Sequence, residues 1–282
     1  MTADFIVALE SLGYTDRESA FLYQVAAHSG YFLRRQFDYF TDRNKGGLVV
    51  RFLEKARSFG HIESLEYKRG WYVYHLFSRS VYRLMGDADS QFRRRKGDAY
   101  IRARLMTLDY VLEHDADYYF NSVAERVHFF TYDRAIPSSI FTGDDGRLLP
   151  LLASFPIALA DRTRPARSLV RFVFVDEGLT TSDKFLRFLS DVEPLLRAVG
   201  NFDLVYVACS ESSFAAAKRA LWNRFSAAPP QSMRLFNTES RSVAAQPGVA
   251  LQPRLTTVRL VYSYPVFRRG ETQGSGSVHG GW

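Results

Sequence analysis

Residues 48–77 begin Leu48-Val49-Val50-Arg51-Phe52-Leu53-Glu54-Lys55-Ala56-Arg57-Ser58-Phe59-Gly60 and continue with His61 to Tyr67, Lys68-Arg69-Gly70 and Trp71 to Phe77. In the first part, Leu48, Val49, Phe52, Leu53 and Ala56 recur at helical spacing. Arg51 and Lys55 share another face, and Gly60 supplies a stop. The second part alternates, with Trp71, Val73, His75 and Phe77 set against Tyr72, Tyr74 and Leu76. This is the period of a strand, and Lys68-Arg69-Gly70 forms a tight turn before it. Helix followed by hairpin is therefore the expected order.

Upstream, Thr15 and Glu18 have the spacing of a capping box ahead of a helix over residues 16–28. A second short helix is expected from Leu33 to Phe40, and Asn44-Lys45-Gly46-Gly47 breaks the chain before the third. Three helices and a hairpin within about 70 residues is the order of a winged helix-turn-helix, whose third helix enters the major groove of duplex DNA. A short helix is expected from Ser78 to Met85, then a basic connector through Lys96, then a helix from Ala99 to Glu113. That last helix, with Ile101, Leu105, Leu108 and Leu112 on one face, is expected to pack the two halves together.

Charge location agrees with this order. The 282 residues carry 37 Lys or Arg and 30 Asp or Glu, a net charge of +7. From Tyr31 to Arg104 the chain has 17 basic against 8 acidic residues, a local excess of +9, and the remaining 20 basic and 22 acidic residues leave −2. Such a segment attracts a phosphate backbone through counterion release without base contacts. The expected DNA-binding cations are Arg34 and Arg35, Arg43 and Lys45 before the third helix, and Arg51 and Lys55 on it. Lys68 and Arg69 at the hairpin tip and Arg93, Arg94, Arg95 and Lys96 in the connector complete the set. The competing reading is the same fold used as a protein-interaction module.

Composition excludes several classes. The 46% hydrophobic and 24% charged fractions are those of an ordinary globular chain. A single cysteine, Cys209, rules out an internal disulfide and a multi-thiolate zinc site. No apolar run approaches the roughly 20 residues of a membrane helix. The N-terminus lacks a basic n-region, so a secretory signal is not expected and a cytoplasmic location is.

From about residue 120 the pattern changes to short apolar runs at Val127–Thr131, Ile157–Ala160, Leu169–Val175, Leu204–Val207 and Val258–Tyr264. Helical stretches lie at about 182–199 and 211–226, so an α/β unit is expected. The tail from Gly270 is read as disordered. Asp161, Asp176 and Glu177 end neighbouring strand candidates, where carboxylates can hold a divalent metal for phosphodiester hydrolysis. No Lys follows Glu177 at two-residue spacing, and there is no Walker A, GxSxG, HExxH or dinucleotide glycine fingerprint. His114-Asp115-Ala116-Asp117 is read as a solvated helix end. No cofactor and no metal ligand set is expected, and a non-catalytic protein is favoured over an enzyme.

Leu12-Gly13-Tyr14-Thr15-Asp16-Arg17-Glu18 and Ser29-Gly30-Tyr31-Phe32-Leu33-Arg34-Arg35-Gln36-Phe37 resemble the winged-helix start of mobile-element proteins of the replication-relaxation type. Ile157 to Asp161 and Arg171 to Gly178 are similar to that family's second domain, which resembles a PD-(D/E)xK nuclease core. The resemblance spans most of residues 10–226 and departs at two points. Pro156 is followed by Ile157 rather than an acid, and the Glu-x-Asp of the second strand is Phe174-Val175-Asp176. It implies an N-terminal winged helix-turn-helix (1–86), a basic connector and linking helix (87–118), an inactive nuclease-like α/β domain with a mixed sheet (119–269) and a tail (270–282). The implied function is DNA binding in plasmid replication, transfer or transcriptional control, with double-stranded DNA and a second copy or a protein of the same element as partners. A metal-dependent nuclease and a non-catalytic adaptor are the alternatives.

Overall fold

A computed structural model describes residues 2–42, 47–68, 70–142, 148–178, 183–200, 202–208, 213–225 and 257–262. The N-terminal half comprises α1 (Thr2–Glu10), α2 (Asp16–His28), β1 (Tyr31–Phe32), α3 (Arg34–Phe40), α4 (Leu48–Ser58), β2 (Ile62–Lys68), β3 (Trp71–Leu76) and α5 (Arg79–Leu84). The linking helix α6 (Asp98–Glu113) follows. The remainder comprises β4 (Tyr118–Tyr119), α7 (Val123–His128), α8 (Leu148–Leu152), β5 (Ile157–Leu159), β6 (Val170–Asp176), α9 (Asp183–Val199), β7 (Phe202–Ala208), α10 (Phe214–Phe225) and β8 (Thr257–Tyr262). The protein is thus a mixed α and β structure with two sheets.

The first sheet is antiparallel throughout, in the order β1-β3-β2. Its pleat sends neighbouring residues to opposite faces. Phe32, Tyr74 and Leu76 face α2, α3 and α4 in a core rich in aromatic rings. There Phe37 stacks on Phe52 at 4.3 Å and meets Phe21 edge-on at 5.1 Å. Tyr31, Leu65 and Val73 face the other way, toward α6. α2 starts with the expected capping box: the Glu18 amide donates to Thr15 Oγ1 (3.3 Å) and the Thr15 amide to Glu18 Oε2 (2.8 Å). Gly30 ends the turn after α2 at φ +77°, where a Cβ would lie 2.8 Å from the Phe92 Cβ, so only glycine fits.

The second sheet runs β4-β5-β6-β7-β8 and is mixed, since β4, β5 and β6 pair antiparallel and β6, β7 and β8 parallel. One face, with Phe172, Phe174, Leu204 and Tyr206, packs on Phe188, Leu189 and Val192 of α9. The other, with Ala158, Val173, Val205 and Val207, packs on Ile101, Leu105 and Met106 of α6. Leu108 and Leu112 of the same helix belong to the N-terminal core. Every residue of α6 from Arg104 to Leu112 is therefore buried, Arg104, Thr107 and Asp109 included. A one-sided apolar stripe understates it.

Several expectations change. Val127–Thr131, read as a strand, lies in α7 and the π-helical turn Phe129–Asp133 that continues it. Ser122 caps that helix through the Glu125 amide, and a capped start overrides the short apolar run. Asp117 is not a solvated helix end; its carboxylate accepts from the buried Arg171. α1, β1, β4 and α8 were not anticipated. The tail from Gly270, and Cys209, lie outside the described residues.

His28, at the end of α2, is buried against Tyr119. Burial, then the charges of Arg126 and Arg104, push its pKa down to about 3. A histidine held neutral in this way contributes fully above its unfolded value of about 6.5, and that contribution is lost as pH falls toward 3. Burial also lowers His61. Urea unfolding should lose about 1.4 kcal/mol per pH unit on account of His28 between about pH 6 and pH 3. His28→Phe should remove one proton's share of that slope, and an unchanged slope would contradict the assignment. Asp109→Ala, which strips the acceptor from Arg35 and Gln36 described below, should cost about 2 kcal/mol in the same measurement.

Candidate nucleic-acid interface

Arg51 is exposed on α4, and among the described residues no acid lies within ion-pair distance of it. Val50, Glu54, Arg57 and Ser58 complete the exposed face, opposite the buried Val49, Phe52, Leu53 and Ala56. Arg57 was missed by the sequence reading. Its Nε donates to Ser64 Oγ (2.9 Å) and its guanidinium lies 5.5 Å from the Tyr74 ring, so it sits between α4 and the hairpin. The signal was present in the spacing of Arg57 from Val50 and Glu54.

Lys55 does not belong to that face. Its ammonium donates to Glu18 Oε2 (2.6 Å) and to the Gly13 carbonyl (3.0 Å), tying α4 to the capped start of α2. Glu18 is buried, so the pair is internal. Other expected cations are also engaged. Both guanidinium nitrogens of Arg35 donate to Asp109 (2.7 and 2.6 Å), and Arg34 lies 3.8 Å from Asp38. Arg93 donates to the Phe77 and Ala88 carbonyls, and Lys96 sits 5.4 Å from the Tyr100 ring. Arg94 and Arg95 are exposed. Arg43, Lys45, Arg69 and the Lys68 side chain lie outside the described residues.

The connector cations also occupy a different face from α4. Tyr31 donates to the Arg94 carbonyl (3.2 Å) and accepts from the Lys96 amide (3.0 Å), and it stacks on His75 at 4.4 Å. His75 Nε2 donates to the Phe92 carbonyl (2.9 Å). His75 and Tyr74 are successive residues of a strand and point to opposite faces, and Tyr74 faces α4. The sheet thus stands between Arg94-Arg95 and Arg51-Arg57. At the hairpin tip, Trp71 is 68% exposed and Tyr72 is exposed beside it.

The three carboxylates proposed as a nuclease centre are not brought together. β5 runs antiparallel to β6, with Leu159 opposite Val170, so Asp161 emerges beside the start of β6. Its amide accordingly binds Ser168 Oγ (2.8 Å). Asp176 ends β6, and six strand steps put the two ends about 20 Å apart. Asp161 is exposed and accepts from the Thr163 hydroxyl and amide (2.6 and 2.8 Å), which hold its pKa below the usual carboxylate value. Asp176 accepts from the Tyr206 hydroxyl and the Gly178 amide. Glu177 is fully buried and receives Lys184 of α9 at 3.0 and 2.9 Å. Phe174 packs against Phe185 and Phe188, both at 4.9 Å. Among the described residues no three His, Cys, Asp or Glu side chains are placed to hold a metal ion. No described helix is long and apolar enough to cross a membrane.

Comparisons with protein families, with curated proteins and with solved structures found no match to this chain.

Lys55→Met should cost about 3 kcal/mol in urea denaturation, because it strands the buried Glu18 carboxylate. Arg51→Ala should change stability by less than about 0.5 kcal/mol. Equal effects of the two would contradict the division between an internal and an exposed cation.

Proposed function

We propose that residues 16–77 form a winged helix that binds duplex DNA through the exposed face of α4, with Arg51 and Arg57 as contacts. The topology of the first sheet carries this reading. The chain order α2-β1-α3-α4-β2-β3 with sheet order β1-β3-β2 leaves one face of α4 uncovered beside the hairpin. That is where a recognition helix and its wing meet a groove and the flanking phosphates. Arg43, Lys45, Lys68 and Arg69 adjoin this face in sequence and add charge to it. The basic excess between Tyr31 and Arg104 supports a phosphate partner, although Lys55, Arg35 and Arg93 serve the fold instead.

In this reading the α/β unit is a nuclease-like scaffold without catalytic carboxylates. It mediates assembly with a second copy or with another protein of a mobile element of the replication-relaxation type, in replication, transfer or transcriptional control. The protein acts in the cytoplasm on double-stranded DNA. A second reading, a protein-interaction module, is favoured by the exposure of Val50 on α4 and of Tyr72, which the pleat puts on the same side of the sheet as Tyr74.

A salt titration of binding to a fluorescent duplex separates the two. Arg51→Ala with Arg57→Ala should weaken binding about tenfold or more and lower the log–log salt slope by about 2. A matched pair in the α/β unit, Arg164→Ala with Arg167→Ala, should leave both unchanged. No binding at low salt, or equal losses in both pairs, would sink the DNA reading in favour of the interaction module.

A further inference from the structure

Arg104 is 6% exposed, and among the described residues no carboxylate or carbonyl accepts from its guanidinium. It is held instead between two rings, 4.8 Å from Phe92 and 4.9 Å from Tyr100. A buried charge without a counter-ion is costly, so natural proteins rarely keep one without a partner. Its surroundings raise the cost. Arg104 acts on His28 and Arg126 as a nearby positive charge. Arg126 donates through its two terminal nitrogens to the Leu152, Phe155 and Phe120 carbonyls, and His28 is kept neutral.

Arg104 lines a cavity of about 750 Å³ between α6 and α9, floored by the end of β6. That volume falls within the range of small-molecule sites. The walls are largely apolar, with Leu151, Phe155, Val173, Phe174 and Phe188, while Lys184 and Arg187 stand at α9. Asp191 is the acid on the lining; Lys184 is already paired with Glu177. A guanidinium without an acceptor therefore lines a largely apolar space.

We infer that this cavity binds a small organic anion, its oxyanion group received by Arg104 and its apolar body seated between α6 and α9. A guanidinium fork matches the geometry of a carboxylate, sulfonate or phosphate, and desolvation at this depth strengthens the pairing. The site is independent of the DNA reading, since none of its residues lies on the exposed face of α4.

The test uses two fluorescent probes that differ in charge, 8-anilinonaphthalene-1-sulfonate and the neutral N-phenyl-1-naphthylamine, titrated into the full chain at 0.5 M NaCl to screen surface attraction. The wild type should bind the sulfonate at one site and at least tenfold more tightly than the neutral probe. Arg104→Met should lose at least tenfold for the sulfonate and less than twofold for the neutral probe. Equal affinity of the wild type for both probes would overturn the proposal, whether or not Arg104→Met folds. So would a folded Arg104→Met that keeps sulfonate affinity.

Discussion

Asp109 sits in the middle of α6 and receives two bonds from Arg35 and one from Gln36 Nε2 (2.9 Å). Gln36 also donates to the Leu105 carbonyl (2.9 Å), while its Oε1 accepts from the Leu33 amide and so caps α3 (2.8 Å). The start of α3 is thereby bonded to a helix whose other side lies against the second sheet. A buried carboxylate is tolerable only when its acceptor sites are filled, and here the filling groups come from the opposite half of the chain. The orientation of α3, and of α4 packed on it through Phe37 and Phe52, follows from that connection. The linking helix is thus part of both cores, and a boundary drawn around it as a connector divides one structure.

The same constraint explains why charge is a poor guide to the contact surface. Much of the basic excess holds parts together: Lys55 joins α4 to α2, Arg35 joins α3 to α6, and Arg93 fastens the connector to Phe77, just after β3. The pleat of the first sheet then separates two exposed pairs, Arg51 and Arg57 with Tyr74 on one side, Arg94 and Arg95 with His75 on the other. The exposed face of α4 is smaller and more mixed than a net count suggests, with Val50 and Glu54 beside the arginines.

The helices with strong periodicity and a cap were legible from residues alone. Thr15 and Glu18 announce α2, and the stripe from Leu48 to Ala56 announces α4. The hairpin was legible because alternation and a basic Gly turn coincide. β1 was hidden because two residues carry no period, and it exists only because Tyr31 and Phe32 pair with His75 and Tyr74. Phe129 and Phe130 gave a false strand because a short aromatic run fits either element. Arg51 could be placed on an exposed face by spacing, but Lys55 could not be removed from it, since its partner Glu18 is 37 residues away. The carboxylates failed as a site for a related reason: that all three lie at strand ends says nothing of which end until strand direction is known. Arg104 gave no sequence signal, because an arginine on a helix reads as solvated until the packing is seen.

The central claim is that α6 is common to both cores, and native-state hydrogen exchange tests it most directly. The amides from Leu105 to Leu112 should exchange only through global unfolding, with the same free energy as the most protected amides of α2 and of β6 and β7. A separation, in which α6 and one half open together while the other half stays protected, would contradict it.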